Sequence, residues 1–349
     1  MARVVIAGAG AIGASIAYSL ARHGARDVVL ADVGGVASGS TAKAMGGVRQ
    51  QFSTAAEVRL AQESIRFFEE LGAPFFDQVG YLFVATTEPG LAALEERRVL
   101  QASLGVPVER VDAAGVSGLR ADDVLGAVAC WSDGCADPAA VTRELVRRAL
   151  ELGIELREHT DALELDGDVL VVACGPRSAE VAAARGLELP VRPLCRQLLL
   201  TGPLDLPAEL PMIVEAETGF HFRRRHDRLV LAMTDPEARW GFEELVDESV
   251  FEDRLERLAH RYPPAAETVI DDAWAGLYDM TPDAHPIIGW VGDGVYAACG
   301  FSGHGFMQSP AVGEAAAAEL LGDEPPFDLS PYRLERFEGD AVFPETLVL

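Results

Sequence analysis

Two glycine-rich turns hold most of the residues able to do chemistry. The first reads Gly8-Ala9-Gly10-Ala11-Ile12-Gly13, and Asp32 follows nineteen residues after its last glycine. Gly8 permits a sharp turn, Gly10 lets the backbone approach a pyrophosphate, and Gly13 lets a helix pack close to a strand. A helix start offers free N–H groups and the positive end of its dipole to phosphates. A carboxylate at Asp32 can accept hydrogen bonds from a ribose diol. This is the chemistry of a dinucleotide site, and the motif alone does not distinguish FAD from NAD. The second turn is Gly300-Phe301-Ser302-Gly303-His304-Gly305-Phe306.

Elements of the right kind surround both turns. Residues 4–7 are an apolar run without charge, as in a strand buried on both faces. Residues 14–23 are amphipathic and stop at Gly24, and a second apolar run, 28–31, ends on Asp32. The loop 34–47 is rich in Gly, Ser and Ala, which places its backbone close against a ligand. A long amphipathic helix is expected over 55–71, a strand over 80–85, a charged surface helix over 91–104, a helical turn over 111–119 and a strand over 128–131. Asp137 and Pro138 are the cap and first residue of a helix over 139–152. Strands over 154–157 and 169–175 return to the first sheet. Residues 213–235 alternate as antiparallel strands do. A mostly solvated helix over 243–262, a strand over 294–299 and a helix over 309–321 complete the chain.

Composition narrows the function class. The chain has 349 residues and is 49% hydrophobic, which fits an ordinary soluble α/β protein. Its formal net charge of −26 argues against nucleic acid or an anionic membrane as partner. No apolar run reaches membrane-spanning length, and residue 4 already enters the first strand, so a cytoplasmic protein is expected. Cys130, Cys135, Cys174, Cys195 and Cys299 show neither metal-ligand nor redox-pair spacing and read as reduced thiols, with no metal site. The sole lysine is Lys43.

Taken together, GAGAIG near the start, TPDAHPIIG at 281–289 and GFSGHGFMQSPAVGEAAAAEL at 300–320 resemble the D-amino-acid oxidase superfamily of FAD enzymes. The sarcosine oxidase and dimethylglycine dehydrogenase branch is the most similar. The stretch Gly47-Val48-Arg49-Gln50-Gln51-Phe52-Ser53 also resembles members linked to respiratory-complex assembly. The resemblance implies a Rossmann-type FAD-binding domain with a mostly parallel sheet, and an α+β substrate domain with an antiparallel sheet over the flavin. Expected boundaries are 1–77, 137–192 and 285–349 for the first, and 78–136 and 193–284 for the second. The implied activity is oxidation of the C–N bond of an amino acid or N-alkyl amino acid to an imine, which then hydrolyses. The implied partners are a small amino acid or amine substrate and an electron acceptor: oxygen, a quinone or an electron-transfer protein.

Site residues carry over one at a time. Expected at the cofactor are Gly8, Gly10, Ala11, Ile12, Gly13 and Asp32, then Ser38, Ser40, Thr41, Lys43, Gly46 and Gly47. Ala173, Gly175, Gly300, Ser302, Gly303, His304, Gly305, Phe306 and Met307 complete that set. A helix starting near Ser309 would aim its positive end at the flavin's pyrimidine edge. Arg49 aligns with the arginine that holds the substrate carboxylate, and its planar guanidinium suits bidentate binding. Tyr278 and His304 match positions over and beside the substrate. His221 faces away from Phe220 and Phe222 on its strand and is a further candidate for the substrate wall.

Departures from the family pattern set further expectations. Sarcosine oxidase's tethering cysteine falls at Gly276, and the tethering histidine of the related branch falls at Lys43, so FAD is expected to be non-covalent. The oxygen-activating lysine falls near Val230 and a second substrate-side lysine at Met307, so acceptors other than oxygen are expected to be the faster oxidants. Two rivals stand beside this reading. A nicotinamide dehydrogenase explains residues 4–32 but leaves the second glycine loop without a purpose. A non-catalytic FAD protein serving in assembly is the other.

Overall fold

The computed structural model describes residues 2–339 and 344–349. Its first sheet has six strands, in the order Ile287–Gly292, Val295–Cys299, Val169–Val172, Val4–Ala7, Val28–Asp32, Glu155–Glu158. The last five run parallel, with Val4 opposite both Val28 and Val169, and only Ile287–Gly292 is antiparallel to its neighbour. The central strand Val4–Ala7 is buried along its whole length. Burial on both faces explains its uninterrupted apolar sequence. Helices Ala11–Arg22, Pro138–Glu151 and Gly305–Leu321 cover one face, and their small buried residues let the first pack against the other two.

A second sheet of nine strands stands over this one. Its longest pair is antiparallel: Arg192–Thr201 runs beside Ile270–Met280, with Arg192 opposite Met280 and Leu194 opposite Tyr278. Met212–Glu215, His221–Arg225 and Arg228–Ala232 form the antiparallel set expected over 213–235. Met212–Glu215 also joins Tyr81–Ala85 in parallel. A small three-stranded sheet of Gly47–Val48, Phe76–Asp77 and Gly134–Ala136 joins the two layers.

Several elements differ from their expected form. The first helix begins at Ala11, not residue 14, because Gly10 itself is the extended cap residue. The last begins at Gly305, not Ser309, and runs through Pro310. Pro310 cannot donate to the Phe306 carbonyl, and the Ser309 hydroxyl supplies that bond instead at 2.9 Å. The expected helix over 243–262 is confined to Phe251–Arg261, since Asp247 caps a 3-10 turn at Glu248–Val250 through Ser249 N. Its inner face is not solvated: Arg254, Leu258 and Arg261 are buried, and Arg261 pairs with Glu215 at 2.8 Å. The expected turn over 111–119 is the end of a strand, Val108–Val111, followed by a 3-10 turn that Asp112 caps through Ala114 N. The 34–47 loop contains a helical turn, Ser40–Lys43.

Candidate active site

One cavity of about 440 Å³ runs from the first glycine turn to the underside of the second sheet. Its nucleotide end is fixed by close backbone packing. Gly8 has φ +106°, and a Cβ there would lie 2.3 Å from the Ala173 carbonyl oxygen. A Cβ on Gly13 would lie 1.8 Å from the Gly8 carbonyl oxygen. Only glycine fits either position. Asp32 ends its strand with one carboxylate oxygen accepting from Ala9 N and the other from Gly34 N, both at 2.7 Å. Each carboxylate oxygen keeps a lone pair for a further donor. The Thr41 hydroxyl accepts from Ala11 N at 3.1 Å, tying the short helix Ser40–Lys43 to the helix start. A dinucleotide fits this cradle of small residues, main-chain amides and one acid.

The other end holds the candidate substrate residues. Arg49 follows the strand Gly47–Val48 and is only 2% exposed. Its guanidinium donates to the Gln51 carbonyl and, at 2.8 Å, to the Leu347 carbonyl, and stands 4.0 Å from the centre of the Phe52 ring. His304, the cap residue of helix Gly305–Leu321, lies with Nε2 3.4 Å from Arg49 Nη2. Its buried Nδ1 has no hydrogen-bond partner among the described residues. The helix behind it is held to Ala55–Leu71 by Gln308 donating to Glu57 and by Ala311 N donating to Ser64 Oγ. Tyr278 projects from Ile270–Met280 and donates its hydroxyl to the Leu349 main-chain oxygen at 2.7 Å.

Burial sets the protonation states. Desolvation pushes His304 well below the ordinary imidazole value, and the neighbouring Arg49 charge pushes the same way. Desolvation also brings His221 down to about 4. His221 Nδ1 lies 2.8 Å from the Gly219 carbonyl, which can only accept, so Nδ1 carries the proton and Nε2 is bare. Both rings are neutral near pH 7. Burial raises the Tyr278 phenol, against the opposing pull of Arg196 and Arg49. Asp279 is pushed up to about 6 by burial and accepts from Gly300 N at 2.8 Å, while its carbonyl accepts from Ser302 N at 3.0 Å. These bonds fix the second glycine loop, in which Ser302 takes φ +52°.

Of the residues expected at the cofactor, Gly8, Gly10, Ala11, Ile12, Asp32, Ser40, Thr41, Lys43, Gly46, Gly47, Ala173, Gly175, Gly303, His304, Gly305, Phe306 and Met307 line this cavity. Gly13, Ser38, Gly300 and Ser302 do not. Gly13 is spent on packing against Gly8, Ser38 Oγ accepts from Gly35 N, and the Ser302 hydroxyl accepts from Thr281 N. Arg49, Tyr278, His304 and His221 all reach the cavity wall. Gly276 lies on that wall with the Lys43 side chain packed over it, so neither position carries a cysteine or histidine. Lys43 is paired with Glu244, and Val230 is buried between strands away from the cavity.

Other wall residues carried no signal in the sequence. Tyr81 and Met212 enter because Gly47 lacks a side chain; a Cβ there would lie 1.7 Å from the Tyr81 hydroxyl. Arg196 and Leu198 stand on a strand buried on both faces, where alternation gives no clue. Leu349 arrives through the segment after residue 343. Glu345 anchors that segment by accepting from Ser53 N, Ser53 Oγ and Thr54 N.

Comparison with known proteins matches this geometry to a family. The model of the family described as FAD dependent oxidoreductase (DAO) matches residues 3–319. Glycine oxidase of Geobacillus kaustophilus (strain HTA426) is 26% identical, with 96% of this chain and 97% of that protein covered. 4-Methylaminobutanoate oxidase (formaldehyde-forming) of Paenarthrobacter nicotinovorans is 25% identical over 97% of this chain, which spans about half of that relative, 46% of its length. The crystal structure of L-proline dehydrogenase from P. horikoshii superposes with a TM-score of 0.91 at 25% identity, covering 98% of this chain and 99% of that one.

Proposed function

The chain belongs to the DAO family of FAD-dependent oxidoreductases, and from that membership and the cavity we propose that it oxidises the C–N bond of an amino acid or N-alkyl amino acid. The observation that carries this reading is a single cavity joining the Gly8–Asp32 cradle to Arg49, Tyr278 and His304. FAD, when bound, accepts a hydride from the carbon beside the amine, and no covalent tether is needed to hold it. Gly8, Gly10, Asp32 and the start of helix Ala11–Arg22 would hold its pyrophosphate and ribose, and Gly303 to Met307 would meet its ring system.

The chain's own residues bind and orient. Arg49 would take the substrate carboxylate with N–H donors now shared with the Gln51 and Leu347 carbonyls. The Tyr278 hydroxyl is a second donor, now given to Leu349. Neutral His304 and His221 add no positive charge beside the amine, and the bare Nε2 of His221 is an acceptor for an amine N–H. The imine formed is hydrolysed by water after release.

The test is anaerobic addition of amino acids and amines to the FAD-loaded protein, followed by the flavin spectrum. An amino acid should bleach it. Arg49→Ala should lower kcat/KM for that amino acid roughly tenfold to somewhat over a hundredfold, the loss of a charge-assisted pair. It should leave an amine without a carboxylate little changed. Equal loss on both would place Arg49 in support of fold or flavin. No bleaching by any amine would favour a non-catalytic FAD protein, a reading to which the main-chain oxygens capping Arg49 and Tyr278 give some footing.

A further inference from the structure

Two guanidinium groups face the substrate half of the cavity, and their surroundings differ. Arg49 is engaged by main-chain oxygens and carries no carboxylate partner among the described residues. Arg196 makes no hydrogen bond or ion pair among the described residues, and its Nε is buried without a partner. The remaining cations on the wall are neutralised: Lys43 by Glu244 and Arg177 by Glu180.

The placement of Arg196 is fixed by its strand. Arg196 is opposite Gly276, and Leu194 is opposite Tyr278, so Arg196 and Tyr278 are diagonal neighbours on the cavity face. The guanidinium carbon of Arg196 is 5.8 Å from the centre of the Tyr278 ring. Gly276 contributes no side chain between them. On the opposite face of the same strand, Gln197 donates to Asp235 at 3.0 Å and accepts from Asp247 N at 2.7 Å. These bonds prevent the strand from turning its arginine away. Arg196 as a whole is half-buried, but its Nε is shut off from water without an acceptor, and a carboxylate in the cavity would supply one. Guanidinium is also the group best shaped to grip a carboxylate. The chain has 55 acidic residues against 29 basic ones, so an unneutralised arginine aimed into a cavity is not a matter of short supply.

We propose that Arg196 is a second carboxylate-binding residue of this cavity, and that the substrate is an amine bearing two carboxylates, one held at Arg49 and the other at Arg196. An N-carboxyalkyl amino acid or an acidic amino acid has this chemistry. The proposal rests on the amino acid reading of the site given above, and adds that both poles of the cavity are filled at once.

The experiment uses the FAD-loaded protein and carboxylates that cannot be oxidised. Acetate, malonate, succinate and glutarate are titrated against the flavin absorbance of the native protein, Arg196→Gln and Arg196→Lys. At least one dicarboxylate should bind the native protein more tightly than acetate by roughly tenfold to a hundredfold. Arg196→Gln should abolish that advantage, leave acetate affinity and FAD content unchanged, and Arg196→Lys should restore part of it. In turnover, Arg196→Gln should raise KM for a dicarboxylic amine and spare a monocarboxylic one. Loss of acetate and dicarboxylate binding in equal measure, no loss of either, or loss of FAD would each overturn the proposal. The two readings fail separately. A dicarboxylate preference without flavin bleaching by any amine removes the catalytic function and keeps the Arg196 site. Bleaching by monocarboxylic amino acids with no dicarboxylate preference does the reverse.

Discussion

Asp32 spends one lone pair of each carboxylate oxygen on the main-chain amides of Ala9 and Gly34, so it shapes the turn before any ligand arrives. Asp32→Ala should therefore weaken FAD binding by more than the lost ribose contact alone, about 1.5–3 kcal/mol for charge-assisted bonds. Titration of the stripped protein with FAD measures it, and an unchanged affinity would remove Asp32 from the site. His221 carries a prediction in pH. Its folded value, about 4, lies below the ordinary 6.5 because the ring is buried. The unfolded chain thus takes up this proton first, and the stability held above pH 6.5 is lost as pH falls through 4. Asp133 and Asp279, both pushed up to about 6, act in the opposite sense, their contribution being full below 3.8 and lost as pH rises through 6. The two trends overlap in the native protein's curve. The difference between His221→Gln and native isolates the histidine: it should be flat above pH 6.5 and move toward the variant by up to roughly 3 kcal/mol near pH 4. Urea unfolding at a series of pH values measures it, and a difference that is flat throughout would contradict the assignment.

At the scale of elements, the segment after residue 343 lies against the proposed substrate residues through two main-chain oxygens, on Arg49 and Tyr278. Glu345 holds it there with three donors from residues 53 and 54 and receives Leu347 N itself. Glu345→Ala should leave the rest of the fold intact and raise amide hydrogen exchange at 346–349 by at least tenfold, since removing the acceptor strands the buried Leu347 N, at about 1–3 kcal/mol, and frees the part-buried donors of Ser53 and Thr54. Exchange unchanged from native would mean that Leu347 and Leu349 hold the segment by burial alone. The elements are legible in the sequence where one pattern has one meaning. Helix Ala55–Leu71 and strand Val28–Asp32 came out with their observed limits, and the cap at Asp137 bonds Ala140 N as expected. The last helix starts four residues before the expected Ser309, and nothing in the sequence says that the Ser309 hydroxyl will satisfy the Phe306 carbonyl and let the helix run through Pro310. Arg49, Tyr278, His304 and His221 were legible through motif and strand parity. Arg196, Tyr81 and Leu349 were not, because a strand buried on both faces loses its alternation and a contact across the chain leaves no local trace.

For the whole molecule, the deciding number is the net charge of −26. Most arginines on the surface already have a carboxylate, as Arg147 has in Glu144 and Glu151, and Arg98 and Arg110 have in Glu95. With 55 acidic residues against 29 basic ones, the excess acids repel one another across the surface. Salt acts on both populations in opposite directions. It weakens the exposed pairs, each worth about 0–1 kcal/mol, and it screens the repulsion among the unpaired acids, which acts over longer distances and involves more partners. With this imbalance the second effect wins, and Tm should rise as NaCl goes from about 0.05 M to about 1 M, where the screening length contracts to roughly 3 Å. The cavity should respond differently, since Arg49 is buried and is screened less. A dicarboxylic amine, anionic overall, should bind faster as salt suppresses the repulsion outside the cavity, while a zwitterionic amino acid gains little. Thermal melts of the FAD-loaded protein and stopped-flow bleaching across the salt series measure the two. A Tm that falls with salt would mean that the ion pairs, not the unpaired acids, govern the stability of the whole.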